Sequence, residues 1–182
     1  MRTSRRGECS QAMTEFALVA PVLLLLTFGI IDFGRALYFY ALAGNAARES
    51  AHVAARASLP MPTNGDVSSA AATAFPGATF SVPAPNCVNG PIAGGTPAAG
   101  TAWLFITDPS PAVAGETAPP ANAPGGEVPG TPAGCSTVVP AFGSQTLEVT
   151  IIYNFAPVTP LVSNVIGNHV VFTLRVLVRT EY

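Results

Sequence analysis

Residues 16–31 read FALVAPVLLLLTFGII, an apolar run without a charged residue. Only Pro21, Thr27 and Gly29 dilute its large side chains. As a helix rising about 1.5 Å per residue, the run covers roughly 24 Å, slightly short of a bilayer core of about 30 Å. The following residues complete the distance. Phe33, Ala36, Leu37 and Phe39 stay apolar, and Tyr38 and Tyr40 suit an interfacial aromatic belt. The pattern predicts one membrane-spanning helix over about 16–40. A buried core helix of this length would need other long helices around it, and the sequence shows none downstream.

Charge sets the orientation of such a helix. Only 10% of the 182 residues are charged, far below the usual quarter or so. The net charge of −2 gives no nucleic-acid signature. Arg2, Arg5 and Arg6 precede the apolar run, opposed only by Glu8. Behind the run, Asp32 and Arg35 nearly cancel, as do Arg48 and Glu49. Cytoplasmic flanks of spanning helices carry the excess of arginine and lysine. The N-terminus is therefore expected in the cytoplasm and the C-terminal bulk outside. Cys9 then lies on the cytoplasmic side. Cys87 and Cys135 are the exported pair, on the side where a disulfide persists, and are expected to form one.

The chain divides into three parts. Residues 1–10 form a basic cytoplasmic leader, expected to be disordered or removed. Residues 11–59 continue as one helix, with Pro60 as its stop. The second half of that helix is alanine-rich. Ala43, Ala47, Ala51 and Ala55 recur every four residues, beside a second row of Ala46, Ser50, Ala54 and Ser58. Small residues at this spacing let another backbone come close, here expected to be another helix, although alanine is also the best helix former. Asp32 and Arg35, on one helix face, are expected to pair locally.

Residues 60–182 are expected to form an extracytoplasmic β-rich domain with a flexible Pro/Gly-rich insert over about 84–140. Within the insert, residues 109–132 read as a surface loop or a disordered stretch. Two patches there and just before it suit strands: residues 78–82 (ATFSV) and 103–107 (WLFIT). The C-terminal quarter is clearer. Leu147, Val149, Ile151, Tyr153 and Phe155 alternate with more polar neighbours, as do Val170, Phe172, Leu174, Val176 and Val178. Period-two stripes of this length predict two strands, paired antiparallel. Their connection, residues 156–168, is unusually apolar. It either faces a partner or the membrane, or tucks Leu161, Val162, Val165 and Ile166 into the core.

Three stretches carry a family resemblance. Ser10-Gln11-Ala12-Met13-Thr14-Glu15-Phe16 stands just before the span. Asp32-Phe33-Gly34-Arg35 and Asn45-Ala46-Ala47-Arg48-Glu49 follow along the helix. The C-terminal hairpin adds Tyr153-Asn154-Phe155-Ala156-Pro157 and Thr159-Pro160-Leu161. In order and spacing these resemble the TadE-like proteins, minor pilins or pseudopilins of tight-adherence (Tad) pilus systems. The resemblance is dense over residues 10–57 and moderate over 146–180. It implies a leader cut by a prepilin peptidase, with Glu at the fifth mature position and an aromatic after it. Glu15 and Phe16 match, which places the cut between Ser10 and Gln11. Ser10 stands where the family has Gly, and Ser50 and His52 depart from its Gly and Arg. The implied partners are other pilin-like subunits, Tad pilus assembly proteins, the peptidase and the lipid bilayer.

Enzyme chemistry finds little to work with. There is no G-x-S-x-G elbow, metal-ligand cluster or phosphate-binding glycine loop. His52 and His169 read as ordinary surface residues. No metal, cofactor or small-molecule substrate is expected. The fold class expected is α+β, a long N-terminal transmembrane helix followed by a small antiparallel β-rich domain. The function expected is structural, as a minor pilin or pseudopilin in pilus assembly or secretion. A membrane-tethered binding module or adhesin unconnected with pili shares the same layout. Secretory cleavage after Ala41-Leu42-Ala43 would release the domain, but Asp32 and Arg35 interrupt the path from the apolar run to that site.

Overall fold

The computed structural model describes residues 5–57, 62–81, 95–107, 125–126, 139–140 and 146–181. One helix dominates. α1 spans Arg5–Ala55, 51 residues and about 75 Å long. It starts inside the leader, where the sequence suggested disorder. Arg5, Arg6 and Glu8 are good helix formers, against which Gly7 and, more mildly, Cys9 and Ser10 count. Pro21 is carried inside the helix. Hydroxyl groups along α1 are satisfied by carbonyls one turn back: Thr27 Oγ1 donates to Leu23 O at 2.8 Å and Ser50 Oγ to Ala46 O at 2.7 Å. The helix ends at Ala55 rather than Leu59. There the Glu181 amide donates to the Ala55 carbonyl at 2.9 Å, so the segment after the last strand takes over a helix-end acceptor. Pro60, the expected stop, lies outside the described residues.

A second helix was not legible in the sequence. α2, Asn64–Ala74, opens with a capping box. The Asp66 amide donates to Thr63 Oγ1 at 3.3 Å, and the Thr63 amide donates to Asp66 Oδ2 at 2.8 Å. The Thr63 amide, and the Thr63 hydroxyl donating to the same Oδ2 at 2.8 Å, hold the Asp66 carboxyl below the ordinary 3.8. Val67, Ala71 and Phe75, at helical spacing, are fully buried, and α2 packs on α1. The Phe75 amide closes α2 on the Ala71 carbonyl at 3.0 Å. Gly77, at φ +97°, turns the chain beside Phe39.

The sheet has four strands in the order β1–β2–β5–β6: β1 Thr79–Phe80, β2 Thr101–Thr107, β5 Thr146–Phe155 and β6 Val170–Arg179. β5 pairs antiparallel with β2 and with β6, in registers that include Leu104 opposite Ile151 and Tyr153 opposite Phe172. β1 is parallel to β2, so the sheet is mixed rather than purely antiparallel. β3, Gly125–Gly126, pairs with β4, Val139–Pro140, as a small separate ladder within the insert. β5 is central and closed on both faces. Leu147, Val149, Ile151, Tyr153 and Phe155 face α1 and α2, while Thr150 and Asn154 are buried on the other side. Between β5 and β6 the chain forms a short third helix, α3, Pro160–Ile166. The outcome is α+β: a long helix whose second half is one wall of a small domain.

Candidate functional site

The first half of α1 is bare. Leu18, Val22, Leu24, Leu26 and Ile30 are each more than half exposed, and residues 11–55 contain a stretch apolar enough to cross a membrane. The bare surface continues past the apolar run, since Phe33, Leu37, Tyr38 and Tyr40 are also more than half exposed. Water cannot stably solvate such a surface, and a bilayer can. The helix fits a single-pass membrane anchor.

At the lower end of this surface Glu15 is exposed, and its Oε1 accepts from Gln11 Nε2 at 3.1 Å, one turn earlier. Phe16 is exposed beside it. Ser10 lies in helical backbone. Gln11 and Glu15 are thus brought together on one face at the bond where the leader would be cut.

The alanine rows sit at the other end. Ala43, Ala47, Ala51 and Ala55 are 0%, 0%, 2% and 5% exposed, and Ala46, Ser50 and Ala54 are fully buried. Their close-packed neighbours within the chain are its own α2 and sheet. A Cβ on Gly44 would already come within 3.4 Å of Leu174 on β6. Ser58, Cys87 and Cys135 lie outside the described residues.

The joint between these two regions is Asp32, a residue whose role spacing alone missed. Its local pair with Arg35 is present, Nη1 to Oδ1 at 3.2 Å. Yet Asp32 is only 3% exposed, because the β5–α3 connection lies over it. The Val158 amide donates to Oδ1 at 3.3 Å and the Thr159 amide to Oδ2 at 3.1 Å. Thr159 Oγ1 donates to Oδ2 as well. One carboxylate therefore meets four donors, the condition under which a buried charge is tolerated. The sequence signal was there: an acid amid apolar residues needs a partner. Its position in the chain gave no hint that the partner lay 127 residues on.

Arg35 completes the joint. Its guanidinium lies 5.5 Å from the Phe155 ring centre and 5.9 Å from that of Phe39. Phe39 in turn stacks on Tyr153 at 5.5 Å and touches Phe75 at 6.0 Å. Burial among these rings pushes the Tyr153 hydroxyl above its ordinary 10.0, with the Arg35 charge partly opposing. No group of three potential metal ligands occurs among the described residues. His52 and His169 are exposed.

The arrangement is that of a membrane-anchored domain built directly onto its anchor. Residues 11–52 match the family model for TadE-like protein, the family whose motifs the sequence resembles. That match covers the helix α1 and none of the sheet. No curated protein matches the chain. No solved structure matches it.

Proposed function

We propose that this protein is a minor pilin-like component, a pseudopilin, of a Tad-type pilus or secretion apparatus. It is anchored in the inner membrane with its N-terminus in the cytoplasm and its domain outside. The observation that carries the reading is the bare half of α1 with Glu15 at its foot, inside the stretch that matches TadE-like protein. The work is done by packing, not by turnover. α1 is continuous from anchor to domain, so a displacement of the helix moves the domain with it. Its buried half belongs to the domain, which leaves the exposed half for neighbouring pilin-like helices and assembly proteins.

The leader supplies the switch. A cut by a prepilin peptidase between Ser10 and Gln11 removes Arg2, Arg5 and Arg6. Each arginine near an anionic membrane surface contributes about 1 kcal/mol of attraction, so their loss frees the helix to move. The cut also creates an α-amino group on Gln11. Glu15 already binds that residue's side chain, so the new cation forms beside a carboxylate. Pairing offsets the cost of carrying Glu15 into an apolar helix bundle. Ser10 in place of Gly slows processing without abolishing it.

Glu15→Ala tests this. The membrane-bound amount should match wild type, because the apolar run is intact. The yield of sheared pili should fall sharply. Normal piliation with Glu15→Ala would refute the proposed role.

A further inference from the structure

We propose that the β5–α3–β6 connection is itself a membrane-inserted element, dipping into the leaflet on the domain's side of the bilayer. The inference rests on the membrane-anchor reading of α1 and goes beyond it.

Depth is the first argument. Val162 on α3 lines the same groove, of about 550 Å³, as Leu25, Gly29 and Phe33. Val158 and Thr159 are tied to Asp32. That groove runs on along α1 to Tyr40, and it is the tie to Asp32 that sets the start of α3 level with that residue. A hydrocarbon core of about 30 Å needs roughly 20 helical residues. Counted from Phe16, the core ends near Ala36, above Asp32. Phe33, Leu37, Tyr38 and Tyr40 are exposed beyond Asp32 and need the same covering. The lipid boundary that accommodates α1 thus lies above α3.

Chemistry is the second argument. Residues 156–168 contain no charged side chain. Val158 is 69% exposed on the domain's surface, facing whatever surrounds the anchor. Irregular backbone at membrane depth is tolerated only when its polar groups are met within the protein. In the part of the connection nearest α1 several of them are: Asp32 receives the Val158 and Thr159 amides, and the Thr159 carbonyl receives those of Val162 and Ser163. Ser163 Oγ donates to the Pro160 carbonyl at 2.9 Å. Pro157 and Pro160 bring no N–H at all. The buried carboxylate is thereby explained: it satisfies a loop that water cannot reach. The groove between α1 and α3 is filled by acyl chains of the same leaflet.

The test uses the full chain in a Trp103→Phe background, reconstituted at low protein density. The vesicles contain phosphatidylcholine and phosphatidylglycerol with dibromostearoyl chains. Single tryptophans report contact with the brominated tails. Val158→Trp should be quenched comparably with Leu23→Trp in mid-span, and several-fold more than Leu177→Trp on the exposed face of β6. Adding Asp32→Ala to Val158→Trp should lower its quenching towards the Leu177→Trp level while Leu23→Trp is unchanged. If Leu23→Trp is quenched and Val158→Trp is not, the inserted loop is wrong, whether water or a second copy covers that face. If Leu23→Trp escapes quenching, the anchor reading itself fails and takes the inference with it.

Discussion

Ala47→Leu separates a helix face used within the chain from one kept for a partner. Ala47 is 0% exposed, between Ala43 at 0% and Ala51 at 2% in the same row. β6 lies so near that row that even a Cβ on Gly44 would meet Leu174 at 3.4 Å. An isobutyl group has only the shallow groove of about 260 Å³ between α1 and β6, lined by Gly44, Ala47 and Leu174, to turn toward, and the part that does not fit there pushes the sheet away from the helix. Overpacking of this kind costs about 1–3 kcal/mol. At roughly 2–4 °C per kcal/mol for a chain of this size, Tm should fall by about 2–12 °C. The exposed Ala41 is the control, where leucine should change stability by less than about 0.5 kcal/mol. Urea unfolding of the purified full chain in detergent, followed by Trp103 fluorescence, measures both. Equal stability for the two variants, with loss of crosslinking to other subunits for Ala47→Leu alone, would show that the row faces a partner and would refute its packing against the chain's own sheet.

Other predictions concern pH and covalent structure. Because Asp66 is held below 3.8 by its cap, the stabilisation it gives is present above that value and is lost as pH falls through the lower folded-state value; Asp66→Asn should remove this slope from acid unfolding curves. Thr63→Ala, which deletes the reciprocal bond, should cost about 1 kcal/mol by urea unfolding at neutral pH. Tyr153 works in the opposite sense: its hydroxyl is raised above 10.0, so stability declines as pH rises from that value through the folded-state one, and Tyr153→Phe should flatten the alkaline limb. Cys87 and Cys135 are proposed to be disulfide-linked in envelope-derived protein, worth about 4 kcal/mol for so long a loop. Mass mapping without reductant should recover the linked peptide, and two free thiols would contradict it.

What could be read in advance was whatever repeats along the chain. The span announces itself by sixteen uncharged residues, 16–31, and β5 and β6 by their alternation. β2 showed through its aromatic and β-branched residues. α2 did not, for a physical reason. Its sequence NGDVSSAAATA carries little hydrophobic bulk, and its stability comes from packing Val67, Ala71 and Phe75 against α1. Only the Thr63–Asp66 spacing signalled a helix start. The alanine rows illustrate a different limit. Small residues specify that a backbone comes close, and the same pattern serves a partner's helix or the chain's own domain. Asp32 shows the third. Its local partner Arg35 follows from helix geometry, whereas Val158 and Thr159 are brought to it by the closure of the whole domain.

The N-terminal residue of the mature protein, isolated from native membranes, tests the functional account most directly. Intact-mass measurement and terminal sequencing should give a chain beginning at Gln11, with Ser10→Gly increasing the processed fraction and Ser10→Phe abolishing it. A chain that keeps its native N-terminus, Arg2, Arg5 and Arg6 included, while pili assemble normally would contradict it.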